Sequence, residues 1–176
     1  MILLTILTCI VYFLANGFTY YLGTSDNDYG CHSKPLKDVL HDILPDYSKW
    51  VHIRDVILVT FMIPIIFLKN KLLFLISLWD RFMLIIAVKA ICIFFTFLPP
   101  SNQDCYEKKY LNHCFHNAVS GHTAFAMLLG IFYVRFGVFK EYIYFIIALY
   151  CIFIIMTRAH YSKDILEAVI LVYLIT

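Results

Sequence analysis

The sequence predicts an all-α protein: an integral membrane bundle of about six transmembrane helices, folded as a single domain over residues 1–176. Three observations carry that expectation. The chain is 62% apolar, against about 45–50% in ordinary soluble domains, and its mean hydropathy is +0.80. The apolar residues fall in long runs broken by charge and proline clusters. If those runs cross in alternation, the histidines at 32, 41, 52, 113, 116, 122 and 160 all fall on or just inside one face. A net charge of +2 is too small to argue for a nucleic-acid partner. With neither a Gly-rich phosphate loop nor a Cys-x-x-Cys pair, nucleotide folds and zinc ribbons find no support.

Roughly 20 apolar residues are needed per crossing, and six segments are candidates. The first runs from Ile2 to Leu22. Its rival reading, a cleaved signal peptide, is disfavoured by the missing basic start and the long apolar stretch. The second is Trp50 to Leu68, with a kink expected at Pro64. The third is Arg81 to Leu98, stopped by Pro99 and Pro100; Leu72 to Trp79 either lies along the interface or extends it. The fourth is Ala118 to Val134, the fifth Tyr142 to Met156 and the sixth, a short one, Ile165 to Ile175.

Orientation is read two ways. Lys and Arg are more numerous on the histidine side, which taken literally makes it cytosolic. Cys31, Cys105 and Cys114 lie on that same side. A Cys105–Cys114 disulfide requires an oxidising lumen; three free thiols are the alternative.

Two clusters interrupt the hydrocarbon. In "TRAHYSKDILEAV", His160 and Asp164 are four residues apart and share a helix face. The carboxylate can hold one ring nitrogen and leave the other as nucleophile or base. In "CFHNAVSGHTAFAM", His122 enters the fourth segment behind Ser120 and Gly121. Two crossings separate the histidines, so both reach one face, where His122 can act as general acid. The free N–H groups at Ser120 and Gly121 favour an anion, and Arg158 adds a planar phosphate donor. This set reads as phosphoryl transfer with no cofactor and no metal. Zinc on two histidines and an aspartate is the weaker alternative. Lys89, inside the third segment, either snorkels or lines the cavity; Glu167 either shares the cavity or faces another helix.

These residues resemble the paired motifs of the sphingomyelin synthase family, within the type 2 phosphatidic acid phosphatase superfamily. "SGHT" (120–123), with Cys114 six residues before Ser120, is similar to Cys-Gly-Asp-x-x-x-Ser-Gly-His-Thr. His160, Tyr161, Ser162, Asp164, Ile165 and Ala168 are similar to His-Tyr-Thr-x-Asp-Val-x-x-Ala. "ILPD" (43–46) is similar to Pro-Leu-Pro-Asp, and "FTFLPP" (95–100) ends its segment as the family's third span ends.

The resemblance implies a six-span core and ping-pong transfer of a phospho-head group, phosphocholine or phosphoethanolamine. The donor would be a glycerophospholipid and the acceptor ceramide. His160, oriented by Asp164, would carry the phosphohistidine, and His122 would protonate the departing diacylglycerol. Tyr161, Asp46, Asp55 and His116 would stand at the head group with Ser120, Gly121 and Arg158. It also implies a multi-pass protein of Golgi, endoplasmic reticulum or plasma membrane, active on the lumenal or exoplasmic side. A homo-oligomer is compatible with the sequence. Phe115 and His116 replace the family's Gly-Asp, which puts the head group in doubt, and Asp55 stands in for an acidic residue usually found farther along.

Two rivals remain. A lipid phosphate phosphatase or phospholipase C-type hydrolase would use water as acceptor. Against the phosphatase, the chain has no Arg-Pro dipeptide, and Arg158 is two residues before His160 where such enzymes place an arginine six before. A non-catalytic lipid-binding protein would have no use for the complete His122, His160 and Asp164 set.

Overall fold

The computed structural model describes residues 2–24, 36–96, 101 and 118–176, with side-chain detail in the first helix at 3 and 5–18. The described elements are helical: α1 (Ile2–Thr24), α2 (Val39–Ile43), α3 (Ile53–Met62), α4 (Lys71–Phe95), α5 (Gly121–Arg135), α6 (Ile143–Met156) and α7 (Ser162–Ile175). Short 3-10 turns cover Ser48–Trp50 and Ile63–Phe67.

The all-helical expectation is met, and the membrane-spanning one is corrected. Among the described residues, no helix is long and apolar enough to cross a membrane. The reason lies in where the helices stop. Ser120 caps α5 through its hydroxyl, which accepts from Thr123 N–H, and Phe136 closes that helix after 15 residues. With α6 and α7 at 14 residues each, these helices reach only about 21–23 Å at 1.5 Å per residue, against a bilayer core of about 30 Å. α3 ends at ten residues, where the Pro64 turn takes over as a 3-10 segment. α4 has the length, 25 residues, because Leu72 to Trp79 extends the third segment. It carries Asp80, Arg81 and Lys89 within that length. The six-crossing plan therefore falls. With it fall the membrane and transmembrane assignments and the multi-pass location with a lumenal or exoplasmic site.

α5 is the hub, packing against α3, α4, α6 and α7. One core joins Phe74, Leu78 and Ile85 of α4 to Leu128 and Phe132 of α5 and Val172 of α7. Phe74 stacks on Tyr133 with centroids 5.4 Å apart. A second core joins α5 to Ile147, Tyr150 and Ile154 of α6. A Cβ at Gly130 would press on the tip of the Ile147 side chain, so the glycine lets α6 lie close against α5. α1 runs parallel to α4, pairing Thr5 with Trp79 and Phe18 with Phe94. The apolar excess of the composition is not all internal, since Phe67, Phe95 and Tyr173 remain more than three-quarters exposed.

Candidate active site

The turn between α6 and α7 is built by backbone exchange with segment 36–50. Arg158 takes a left-handed conformation, φ 54°, which turns the chain sharply after α6. Tyr47 N–H donates to Met156 O at 2.7 Å. Arg158 Nη2 donates to Leu44 O at 3.0 Å, and its Nε lies 3.8 Å from Asp46 Oδ2. Buried Asp38 caps α2 through Leu40 N–H and reaches α7, accepting from Ser162 N–H at 2.6 Å and Ser162 Oγ at 2.9 Å. His41 Nε2 donates to His160 O at 3.1 Å and its ring stacks on Tyr161, whose hydroxyl accepts from Leu36 N–H.

On that base sits His160, 8% exposed, with Asp164 fully buried beside it. Nδ1 of His160 is 3.3 Å from Asp164 Oδ2. A carboxylate accepts, so the proton is on Nδ1 and Nε2 keeps the lone pair. The same Oδ2 accepts from Tyr161 N–H, and Oδ1 lies 2.9 Å from Lys163 Nζ. Asp164 is thus both a first-turn cap of α7 and the partner of the imidazole. Burial pulls the His160 proton affinity down to about 4; Asp164 opposes this and Lys89 and Arg54 reinforce it. At neutral pH the ring is an uncharged base.

Ser120 N–H donates to Asp164 O at 3.0 Å, which ties the starts of α5 and α7 together. Two residues on, His122 Nε2 is 2.6 Å from Asp55 Oδ1 at the start of α3. Arg54 Nε stands 3.5 Å from that same oxygen. Burial, then Arg54, lowers the affinity of His122 for its second proton, and Asp55 only partly restores it. With Nε2 held by Asp55, Nδ1 is the nitrogen left to exchange a proton with a substrate.

His122 and His160 line one cavity of about 530 Å³, with Gly121, Arg54 and Lys89 at the same end. Lys89 is 6% exposed. Burial brings its ammonium down to about 8, against the pull of Asp164, so it is mainly charged at neutral pH. A Cβ on Gly121 would lie 3.4 Å from Lys89 Nζ, so the glycine keeps the cation's flank open. Apolar side chains complete the cavity, among them Leu58, Met62, Trp79, Phe82, Ile86 and Phe125.

The structure thus brings His122, His160 and Gly121 to the cavity wall, with Asp164 and Asp55 behind the two rings; Ser120 is buried off the wall, its N–H spent on Asp164 O and its hydroxyl on the α5 cap, so it is not free to hold an anion. The structure does not bring Arg158, Asp46 or Tyr161 to the cavity wall; they lock the α6–α7 turn instead. Glu167 pairs with Lys163 on the outside, at 3.5 Å. The cavity's cations are Arg54 and Lys89. Sequence alone leaves Lys89 between two readings and does not single out Arg54. Its one signal was position, a basic residue directly before Asp55 on the histidine side. His116, with Cys31, Cys105, Cys114, His32 and His113, lies outside the described residues. Among the described residues, no group of three or more His, Cys, Asp or Glu side chains is placed to hold a metal ion. Compared with known proteins, the chain matches no family model and no curated protein.

Proposed function

We propose that this protein is a lipid phosphotransferase that carries a phospho-head group on His160. The observation that carries this reading is one cavity lined by two histidines, each held by its own aspartate, and by two cations. Nε2 of His160 attacks the phosphorus of a phospholipid, forming an N–P bond as the P–O bond to the lipid alcohol breaks. His122, as imidazolium, gives its Nδ1 proton to the departing oxygen. A bound phosphodiester anion favours that protonated form, because an opposite charge nearby raises a histidine's proton affinity. In the second half, the acceptor hydroxyl gives its proton to His122 and its oxygen attacks the phosphorus, breaking the N–P bond. Arg54 and Lys89 offset the charge that develops on the phosphoryl oxygens. The motif resemblance supports a ceramide-type acceptor and diacylglycerol as the alcohol released from a two-chain donor.

The test supplies the full chain with phosphatidylcholine or phosphatidylethanolamine, with and without fluorescent ceramide. A fluorescent phosphosphingolipid, lost in His160→Ala, is the expected product. Free phospho-head group in place of that product makes water the acceptor and the protein a hydrolase. No turnover with either donor or acceptor removes the enzymatic reading.

A further inference from the structure

At the cavity's charged end, Arg54 and His122 are held by Asp55, and His160 by Asp164. Among the described residues, Lys89 makes no hydrogen bond and no ion pair. Its side chain is buried yet lines the cavity, and Gly121 leaves the flank of its Nζ open. A buried polar group without a partner calls for a ligand or a reaction to account for it.

The approach to this amine is apolar. Along α4 the wall runs from Leu75 through Leu78, Phe82 and Ile86 to Lys89, at three- and four-residue steps that share one helix face. Leu75 to Lys89 is fourteen steps, roughly 21 Å at the helical rise of 1.5 Å per residue. Met62, Leu75 and Trp79 are exposed at the outer end, whereas Lys89 is buried at the inner one. A hydrocarbon chain in this slot therefore brings its polar head to Nζ.

The surroundings favour the free amine. Burial disfavours the ammonium and Arg54 on α3 adds to this, against the pull of Asp164 on α7. The other ionisable groups at the wall are His122 on α5, His160 in the α6–α7 turn and the Tyr12 hydroxyl on α1. With its proton affinity near 8, about a tenth of Lys89 is free amine at pH 7, against fewer than about one in a thousand for an ordinary lysine. Desolvated lysines beside another cation are the ones that attack carbonyls.

We propose that Lys89 is a covalent capture site for long-chain aldehydes. The Nζ lone pair forms a bond to the aldehyde carbon as the carbonyl electron pair moves to oxygen. One nitrogen proton passes to that oxygen and gives a carbinolamine. The hydroxyl then leaves as water with the second nitrogen proton, and a C=N bond replaces the C–O bond. His122, at the same end, is placed to relay that proton. No oxidant or reductant is consumed. Neither His160 nor phosphorus takes part, so the site goes beyond the phosphotransfer reading and does not depend on it.

The test treats the full-length protein with dodecanal or with propanal, fixes the imine with cyanoborohydride and maps the labelled peptides. Dodecanal's preference for Lys89 over exposed Lys69 is expected to exceed propanal's by at least about tenfold, because burial of its longer chain concentrates it beside the amine. Equal preferences for the two aldehydes, or no label on Lys89, overturn the proposal. With either aldehyde, the ratio of Lys89 to Lys69 labelling should fall as the pH rises past about 8, where Lys89 has already released its proton. A ratio that stays constant contradicts a free amine poised in the slot. Both readings are made on the wild-type protein and require no turnover.

Discussion

The two histidines have the same kind of partner and opposite surroundings. His160 is buried, its aspartate is buried with it, and segment 36–50 braces its turn from behind. His122 is held by Asp55, whose side chain is 52% exposed. A His–Asp pair alone does not define a role; the solvent around the carboxylate and the cations around the ring do. At His160 the pairing sets the tautomer and burial keeps the ring neutral, which suits a nucleophile. At His122 the pair sits at the wetter edge, where an arriving anion can recharge it, which suits an acid.

The comparison breaks most severely at the nucleophile. His160→Ala is expected to lower turnover by roughly 10⁴-fold or more, as removal of a covalent nucleophile does, and a better leaving group should not restore it. His122→Ala is expected to cost about 10²–10⁴-fold, the usual range for general acid–base catalysis. Here a nitrophenyl ester, whose leaving group needs no proton, should recover most of the rate of head-group transfer to His160. If both variants respond alike to that substrate, the two histidines do not have separate roles.

A smaller effect sharpens the contrast. Asp55→Asn leaves the hydrogen bond but removes its charge. Charged hydrogen bonds contribute about 1.5–3 kcal/mol, so a loss of about tenfold to a hundredfold is expected in lipid turnover. Little loss is expected with the nitrophenyl ester. An equal loss on both substrates would place Asp55 in head-group binding.

Acid titration separates the rings by stability. His160 takes its proton near pH 4 in the fold and near its ordinary value of about 6.5 once unfolded. Between those values the unfolded chain binds more protons, so stability falls as the pH drops from about 6.5 to about 4 and is unaffected by this group above that window. His160→Gln should flatten that part of the denaturant-midpoint profile. A profile with the same slope in wild type and variant would show that His160 is not held neutral by burial.

How much of this was legible follows from what each signal measures. The i, i+4 spacing of His160 and Asp164 and the approach of His122 are local or topological features, and the structure places them together. The boundary signals were also present: Ser120 ahead of α5, Pro64 after α3, Tyr161 and Asp164 opening α7. Hydropathy outweighed them. Apolar content shows that a run is oily, whereas crossing depends on how many residues stay helical, and α5, α6 and α7 each stop short. Arg158 misled for a related reason. Two residues before His160 it looked like a phosphate donor, but its left-handed backbone turns the guanidinium toward Leu44 and Asp46. Arg54 and Lys89 reach the cavity from helices far away in sequence, where no motif joins them to the histidines.

The most direct measurement of the His160 assignment is a trapped intermediate. The protein is mixed with a phosphocholine donor in the absence of acceptor, quenched in base and digested, and the peptide holding residues 159–163 is weighed. A phosphocholine adduct on His160, stable in base, released by acid and discharged when a ceramide is added before quenching, is the result expected. An adduct on His122, or turnover with no adduct on either histidine under rapid quench, would contradict the assignment of His160 as the group that attacks.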